Sequence, residues 1–240
     1  MHHPRCCSAL QTTWPWPRPL DHVTLVTTTL DTHAFQDDDF SVCNIDCPHT
    51  LEGAVSKRKA EYLTGRLCAR EALRLMTGQP AVPAIGDDRA PVWPGHTVGS
   101  ITHGAGWAAA LVALKRDYAG LGIDVEHRLS DPRAARLTKE VLTPGEQRRN
   151  ADILATEPGQ LLTLTFSLKE SLFKALYPIV QRRFYFQDAE LVAWTGSGLA
   201  TLRLLTDLSS EWRNGRELEA QFATFDNRIM SLVAAPAGDS

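Results

Sequence analysis

The chain has 240 residues, long enough for one domain or for two small ones. Hydrophobic residues at 43% and charged residues at 22%, with Gly 16 and Pro 14, describe a folded globular protein and exclude a disordered or fibrous one. Lys and Arg total 25 against 28 Asp and Glu, a net charge of −3, which removes the compositional case for a general nucleic-acid binder.

The first residues carry His2, His3, Arg5, Cys6 and Cys7 before Trp14-Pro15-Trp16-Pro17, and lack the continuous apolar segment of a secretory signal. No apolar run reaches the length of a membrane span; the longest, residues 107–114, ends at Lys115-Arg116-Asp117. The five cysteines, at 6, 7, 43, 47 and 68, are odd in number, confined to the first third and unsuited to a disulfide framework. The expectation is a cytoplasmic monomer with no membrane or nucleic-acid partner.

Residues 20–30 are rich in β-branched side chains and predict an extended element. Residues 31–53 hold Asp37, Asp38, Asp39 and Asp46 with few periodic anchors, and read mostly as surface loop. Residues 55–76 predict a helix with Leu63, Leu67, Ala69, Leu73 and Met76 near one face, ended by Gly78 and Pro80. Its Lys57, Arg58, Lys59, Arg66, Arg70 and Arg74 form a basic cluster. The last three are spaced by four and share a side, which is either a solvated face or an anion-binding one.

Residues 80–94 are rich in turn formers and read as an ordered crossing loop. Two buried strands, 107–114 and 121–126, then form a hairpin across the charged turn. A helical pattern from 131 breaks at Pro144-Gly145, a second helix covers 146–154, and a third covers 167–177 and is closed by Pro178. The last third predicts strands at 184–194, 199–205 and 221–234, the last interrupted at Asp226-Asn227. No exact repeat is present, although each half offers a helix and strands.

Asp124 and Glu126 are two apart on a strand, so both carboxylates share a face while Ile123 and Val125 point into the core. That pairing suits a hard cation, although an Asp-x-Glu pair is commonly just a surface feature. Gly122 beside them allows another chain segment or a ligand to approach closely. Glu170 stands near the start of the helix after Phe166, where the helix end tolerates a carboxylate. Lys174 is four residues on; it either pairs with Glu170 or contacts a phosphate, and Lys169 points elsewhere, to the periphery or to solvent. His103 is either a structural hydrogen-bonding residue or a phosphate donor. Cys43, Cys47 and His49 do not complete a zinc set.

Gly122-Ile123-Asp124-Val125-Glu126 and Phe166-Ser167-Leu168-Lys169-Glu170-Ser171-Leu172-Phe173-Lys174 together resemble the paired signatures of 4'-phosphopantetheinyl transferases. The resemblance extends upstream through Glu61 to Arg70, Gly86 to Pro94 and Gly99 to His103, and is to the siderophore-synthetase-activating, enterobactin-type branch of the Sfp-type enzymes.

The resemblance implies an α+β, pseudo-dimeric fold of two similar subdomains, residues 1–127 and 128–240, with coenzyme A and Mg²⁺ in a cleft between them. It implies that Asp124, Glu126 and Glu170 hold Mg²⁺ and that Lys174, Arg89 and His103 contact phosphate. Arg58, Arg66 and Arg70 would hold the nucleotide 3'-phosphate or an acidic partner, and Thr102 keeps the hydroxyl of the Ser often found before the His. The implied reaction moves phosphopantetheine from coenzyme A to a serine of an apo acyl or peptidyl carrier protein, with Glu170, directly or through water, as proton acceptor, Lys174 stabilising the leaving 3',5'-ADP and Asp124 acting through the Mg²⁺ it holds. The alternative is a catalytically weak module that binds coenzyme A or an acidic protein.

Overall fold

The computed structural model describes residues 4–104 and 106–238. They form a mixed α+β fold of two compact units, and the chain divides after Asp117. One unit comprises the residues through Trp14 and Leu20–Asp117; the other comprises Pro15–Pro19 and the residues from Tyr118 onward. The boundary expected at 127 lies at the far end of the strand that opens the second unit, a strand whose sheet and helix partners all belong to that unit.

The first unit contains β1 (Val23–Thr29), α1 (Asp39–Cys43), α2 (Ser56–Thr77), β2 (Ala84–Ile85), β3 (Pro91–Val92), β4 (Thr97–Gly104) and β5 (Trp107–Leu114). Its main sheet is antiparallel in the order β1-β5-β4, and α2 packs on it. Cys68, Ala69, Ala72 and Leu73 of α2 meet Ala108, Ala110 and Val112 of β5 and Val26 of β1. Small side chains on both surfaces bring the helix close, and a Cβ on Gly65 would lie 2.8 Å from Ile101 Cγ2. Gly78, at φ 77°, caps α2 where the sequence predicts its end.

Residues 31–53 are not simply surface loop. Phe35, Phe40, Cys43, Ile45 and Leu51 are buried, with Phe35 and Phe40 edge to face at 5.9 Å. Their irregular spacing hides this core from a periodicity search. Asp39 is buried beneath them and accepts hydrogen bonds from the backbone N–H groups of Arg5 and Gln36. All five cysteines are free thiols.

The second unit runs β6 (Tyr118–His127), α3 (Asp131–Val141), α4 (Pro144–Arg149), α5 (Ala151–Thr156), α6 (Pro158–Val180), β7 (Ala189–Trp194), β8 (Leu199–Leu204), β9 (Glu217–Phe225) and β10 (Arg228–Pro236). Its antiparallel sheet has the order β6-β10-β9-β8-β7. The expected hairpin of β5 with β6 does not form: β5 pairs with β1 and β4, and β6 pairs with β10. Adjacency in sequence favoured the short turn, but the partner that buries β6 comes last in the chain. Asp226 and Asn227, at φ 46° and 61°, make the tight reversal between β9 and β10.

α6 packs on β6 and β10 and is longer than expected. Pro158 starts it at a position where a missing N–H costs nothing. Residues 161–166 lie within it, and Pro178 sits inside its last turn instead of closing it. Gln181, at φ 51°, is the cap. The predicted helix over 146–154 is two helices meeting at Asn150, the first opened by Thr143, whose side chain exchanges capping bonds with Glu146. Among the described residues, no helix is long and apolar enough to cross a membrane.

Candidate functional site

β6 places its side chains alternately, as the sequence predicts: Leu121, Ile123 and Val125 are at most 1% exposed, while Gly120, Gly122, Asp124 and Glu126 occupy the other face. Against that second face lies the backbone of α6. A Cβ on Gly120 would stand 2.0 Å from the Ala175 carbonyl oxygen, and one on Gly122 would stand 1.8 Å from that of Ser171. The two glycines therefore let a helix lie directly on a strand, and Glu170 and Lys174 flank the carboxylates of β6.

Lys174 does not serve as a simple partner for Glu170. Its Nζ donates to Asp124 Oδ1 at 2.7 Å and to the Ile123 carbonyl at 3.0 Å. Asp124 Oδ2 is buried and accepts from no donor. The Glu126 carboxyl is pushed up to about 7, first by burial and then by the charge of Asp124, with Lys174 opposing and Glu170 adding a smaller upward push. Burial also raises Glu170, with Lys174 opposing and Asp124 reinforcing. Glu170 stands in the middle of α6, so its environment is set by this crowding of carboxylates and not by a helix end.

Beneath the cluster, Ser231 of β10 stands opposite Asp124 in register. Its hydroxyl lies 2.7 Å from those of both Ser167 and Ser171, so the helix and the sheet are joined by a buried chain of three hydroxyls. Lys169 is not peripheral: its side chain is 2% exposed and bonded to Glu146 at 2.8 Å. Glu170 also lines a cavity of about 200 Å³, together with Lys169, Phe173, Arg183, Phe184, Tyr185, Phe186 and Ala189. Sequence reasoning missed this aromatic lining and Ser231. The Phe184-Tyr185-Phe186 run after α6 is the one signal that could have pointed to it.

Among the described residues, no group of three or more His, Cys, Asp or Glu side chains is gathered closely enough to hold a metal ion by itself. Asp124, Glu126 and Glu170 nonetheless act on one another electrostatically, and all offer the oxygen donors that a hard cation prefers.

In the first unit the predicted anion contacts separate by environment. Arg66 is 7% exposed, its guanidinium lies 4.9 Å above the Tyr62 ring, and its buried Nε has no partner. Its Nη2 donates to the Ala84 carbonyl at 3.4 Å, and burial holds its pKa below the ordinary arginine range. Arg70 is half-buried on the Cys43 carbonyl, and Arg74 pairs with Glu71, so the three arginines do not form one continuous face. Arg58 is exposed on the first turn of α2. Arg89 is exposed in the β2–β3 turn at φ 70°. Thr102 is buried on β4, and His103 Nδ1 lies 3.7 Å from Glu61 Oε2.

Comparison with known proteins agrees with these motifs. Residues 48–113 match the 4'-phosphopantetheinyl transferase N-terminal domain, and residues 120–233 match the 4'-phosphopantetheinyl transferase superfamily model. Enterobactin synthase component D of Escherichia coli O157:H7 is 39% identical over 167 residues, covering 68% of this chain and 77% of that protein. The 4'-phosphopantetheinyl transferase Svp of Streptomyces mobaraensis is 38% identical over 192 residues, covering 77% and 76%. The 4'-phosphopantetheinyl transferase PptT of Mycobacterium tuberculosis is 34% identical over 165 residues, covering 65% and 70%. With both signature segments placed on β6 and α6, and with relatives matched over three quarters of their length, the chain belongs to the 4'-phosphopantetheinyl transferase superfamily.

Proposed function

We propose that the protein transfers the 4'-phosphopantetheine moiety of coenzyme A to a serine hydroxyl of an apo carrier protein and releases 3',5'-ADP. The observation that carries this reading is Asp124, whose Oδ1 is held by Lys174 while its buried Oδ2 accepts from no donor, beside two carboxyls raised above their usual range. A buried carboxylate oxygen without a partner is costly, and a cation removes that cost. The residues thus fit Mg²⁺, with Asp124, Glu126 and Glu170 as its protein ligands and water completing the shell. When bound, the ion neutralises negative charge on the pyrophosphate.

In the transfer, the serine oxygen bonds to the β-phosphorus of coenzyme A and the bridging P–O bond breaks, so the electron pair leaves with 3',5'-ADP. Glu170 takes the serine proton. Its raised pKa makes it a better proton acceptor than an ordinary surface glutamate. Lys174, already directed by Asp124, sets a positive charge where the leaving phosphate develops its own negative charge.

The apolar cavity beside Glu170 suits the uncharged pantetheine arm, with Phe173, Phe184 and Phe186 as its walls. Arg66, a buried cation with an unpartnered Nε, suits the nucleotide 3'-phosphate, with Arg70, Arg89, Thr102 and His103 as further candidates. The exposed Lys57 and Arg58 suit the acidic face of the carrier, and the similarity to enterobactin synthase component D favours a carrier of siderophore or nonribosomal-peptide assembly.

The test is direct: purified protein, Mg²⁺, coenzyme A and an apo carrier are mixed and the carrier's mass is measured. Addition of one phosphopantetheine supports the reading. No addition across several apo carriers, with folded protein that binds coenzyme A, would leave only the binding-module alternative.

A further inference from the structure

Lys169 and Glu146 take no part in the transfer described above, yet they bury opposite charges in the second unit, with side chains 2% and 1% exposed. Lysine has three ammonium protons, and each has an acceptor here: the Val141 carbonyl at 2.8 Å, Glu146 Oε2 at 2.8 Å and the Phe186 carbonyl at 2.7 Å. Glu146 in turn accepts from the Thr143 backbone N–H at 2.7 Å and, through its other oxygen, from the Leu191 N–H. One ion pair therefore joins the end of α3, the start of α4, the third residue of β7 and residue 186 to a single point on α6, next to Glu170.

The pair satisfies buried backbone groups and, in doing so, also fixes their positions. A buried ion pair is commonly matched or exceeded by an apolar pair of similar volume, because desolvation offsets the attraction. Here an apolar pair would strand two carbonyls and two N–H groups at once, so these backbone groups depend on the two charges. The pair also holds Phe186, one lining residue of the cavity, to the helix turn that contributes Lys169, Glu170 and Phe173 to the same lining.

We propose that the Lys169–Glu146 pair is a positioning device for the apolar cavity: it sets the spacing of the Phe184–Phe186 wall from α6 and thereby the affinity for the uncharged arm of coenzyme A. Lys169 and Glu146 act through Phe186, not on the reacting atoms. The inference rests on the assignment of that cavity to the arm in the reaction proposed above.

The experiment compares coenzyme A with 3',5'-ADP, which shares the nucleotide but has no arm, by calorimetric titration of the full chain. Wild-type protein is expected to bind coenzyme A more tightly than 3',5'-ADP. Glu146→Gln should weaken coenzyme A about tenfold, the size expected for one charged anchoring bond, and leave 3',5'-ADP within about twofold. Because Glu146→Gln leaves Lys169 as an unpaired buried charge, the double variant Glu146→Gln, Lys169→Gln is measured beside it. It removes both charges and should show the same selective loss in a folded protein. Equal weakening of both ligands, or no weakening in either variant, overturns the positioning role while the arm assignment stands. If wild-type protein binds both ligands equally, the arm assignment is itself wrong and the positioning role falls with it.

Discussion

The two units solve the same packing problem in opposite ways. Each lays one long helix on an antiparallel sheet, and each uses a missing side chain to bring them together. In the first unit the glycine is on the helix, where Gly65 faces the Cγ2 methyl of Ile101. In the second the glycines are on the strand, where Gly120 and Gly122 face carbonyl groups of α6. The first arrangement yields an apolar seam of alanines, with charged residues displaced to its margins. The second leaves room for a helix backbone against a strand that carries acids, and so gathers Asp124, Glu126, Glu170 and Lys174 in one place. The glycines on the strand thus serve the acidic cluster, whereas the glycine on the helix serves the packing of helix on sheet.

This contrast can be broken first at the acids. Glu170→Gln should lower transfer by on the order of 10²- to 10⁴-fold while the circular dichroism spectrum and melting temperature stay close to wild type. Retained transfer would reduce the acidic cluster to a structural role. Next is Gly122→Ala. Its Cβ would meet the Ser171 carbonyl, which cannot move without the helix, so a loss of about 1–3 kcal/mol in urea unfolding is expected, together with loss of transfer.

A third measurement uses pH. The Glu126 carboxyl is raised to about 7 in the folded state, so between the ordinary glutamate range and about 7 the folded chain binds more protons than the unfolded chain. Stability of the metal-free protein must then fall as pH rises through that window. Glu126→Gln should flatten the fall and, near pH 8, raise the melting temperature. A pH-independent melting temperature that the substitution leaves unchanged would contradict the crowding of carboxylates. The smallest effect belongs to Gly65→Ala. Its Cβ would meet side chains and not backbone, the Ile101 Cγ2 methyl at 2.8 Å and His103 Cδ2 at 3.8 Å, and the gain in helix propensity of about 1 kcal/mol offsets the adjustment, so unfolding should shift by less than about 1 kcal/mol.

Much of the second unit was legible because its signals are local. Alternation in β6, the Asp226-Asn227 reversal and the face shared by Asp124 and Glu126 each follow from a few neighbouring residues. Gly122 likewise foretold a close approach. What the sequence could not convey is long-range pairing: nothing near β6 indicates that β10 rather than β5 is its partner. The same limit explains Lys169, whose acceptors come from α3, α4 and the segment after α6, and Lys174, whose true partner is on β6 and not one helical turn away. Pro178 was read as a stop because proline usually ends a helix, but in the last turn it sacrifices little hydrogen bonding before Gln181 caps the end. In the first unit the basic cluster was visible, but which arginine would be buried was not, since Arg66, Arg70 and Arg74 follow the same spacing and only tertiary packing tells them apart.

The pairing of β6 with the last strand of the chain also has a consequence for synthesis on the ribosome. The three strands of the first sheet are complete as soon as β5 has emerged, so that unit has all its partners early. β6 emerges next, with its apolar residues and an unfilled edge, and must wait for β10, the last strand of its sheet to emerge. During that interval the strand carrying Asp124 is a template for pairing with other chains. A nascent chain interrupted before residue 228 would therefore be exposed to aggregation, and the strand that carries two of the acids would lack its sheet partner until β10 is made.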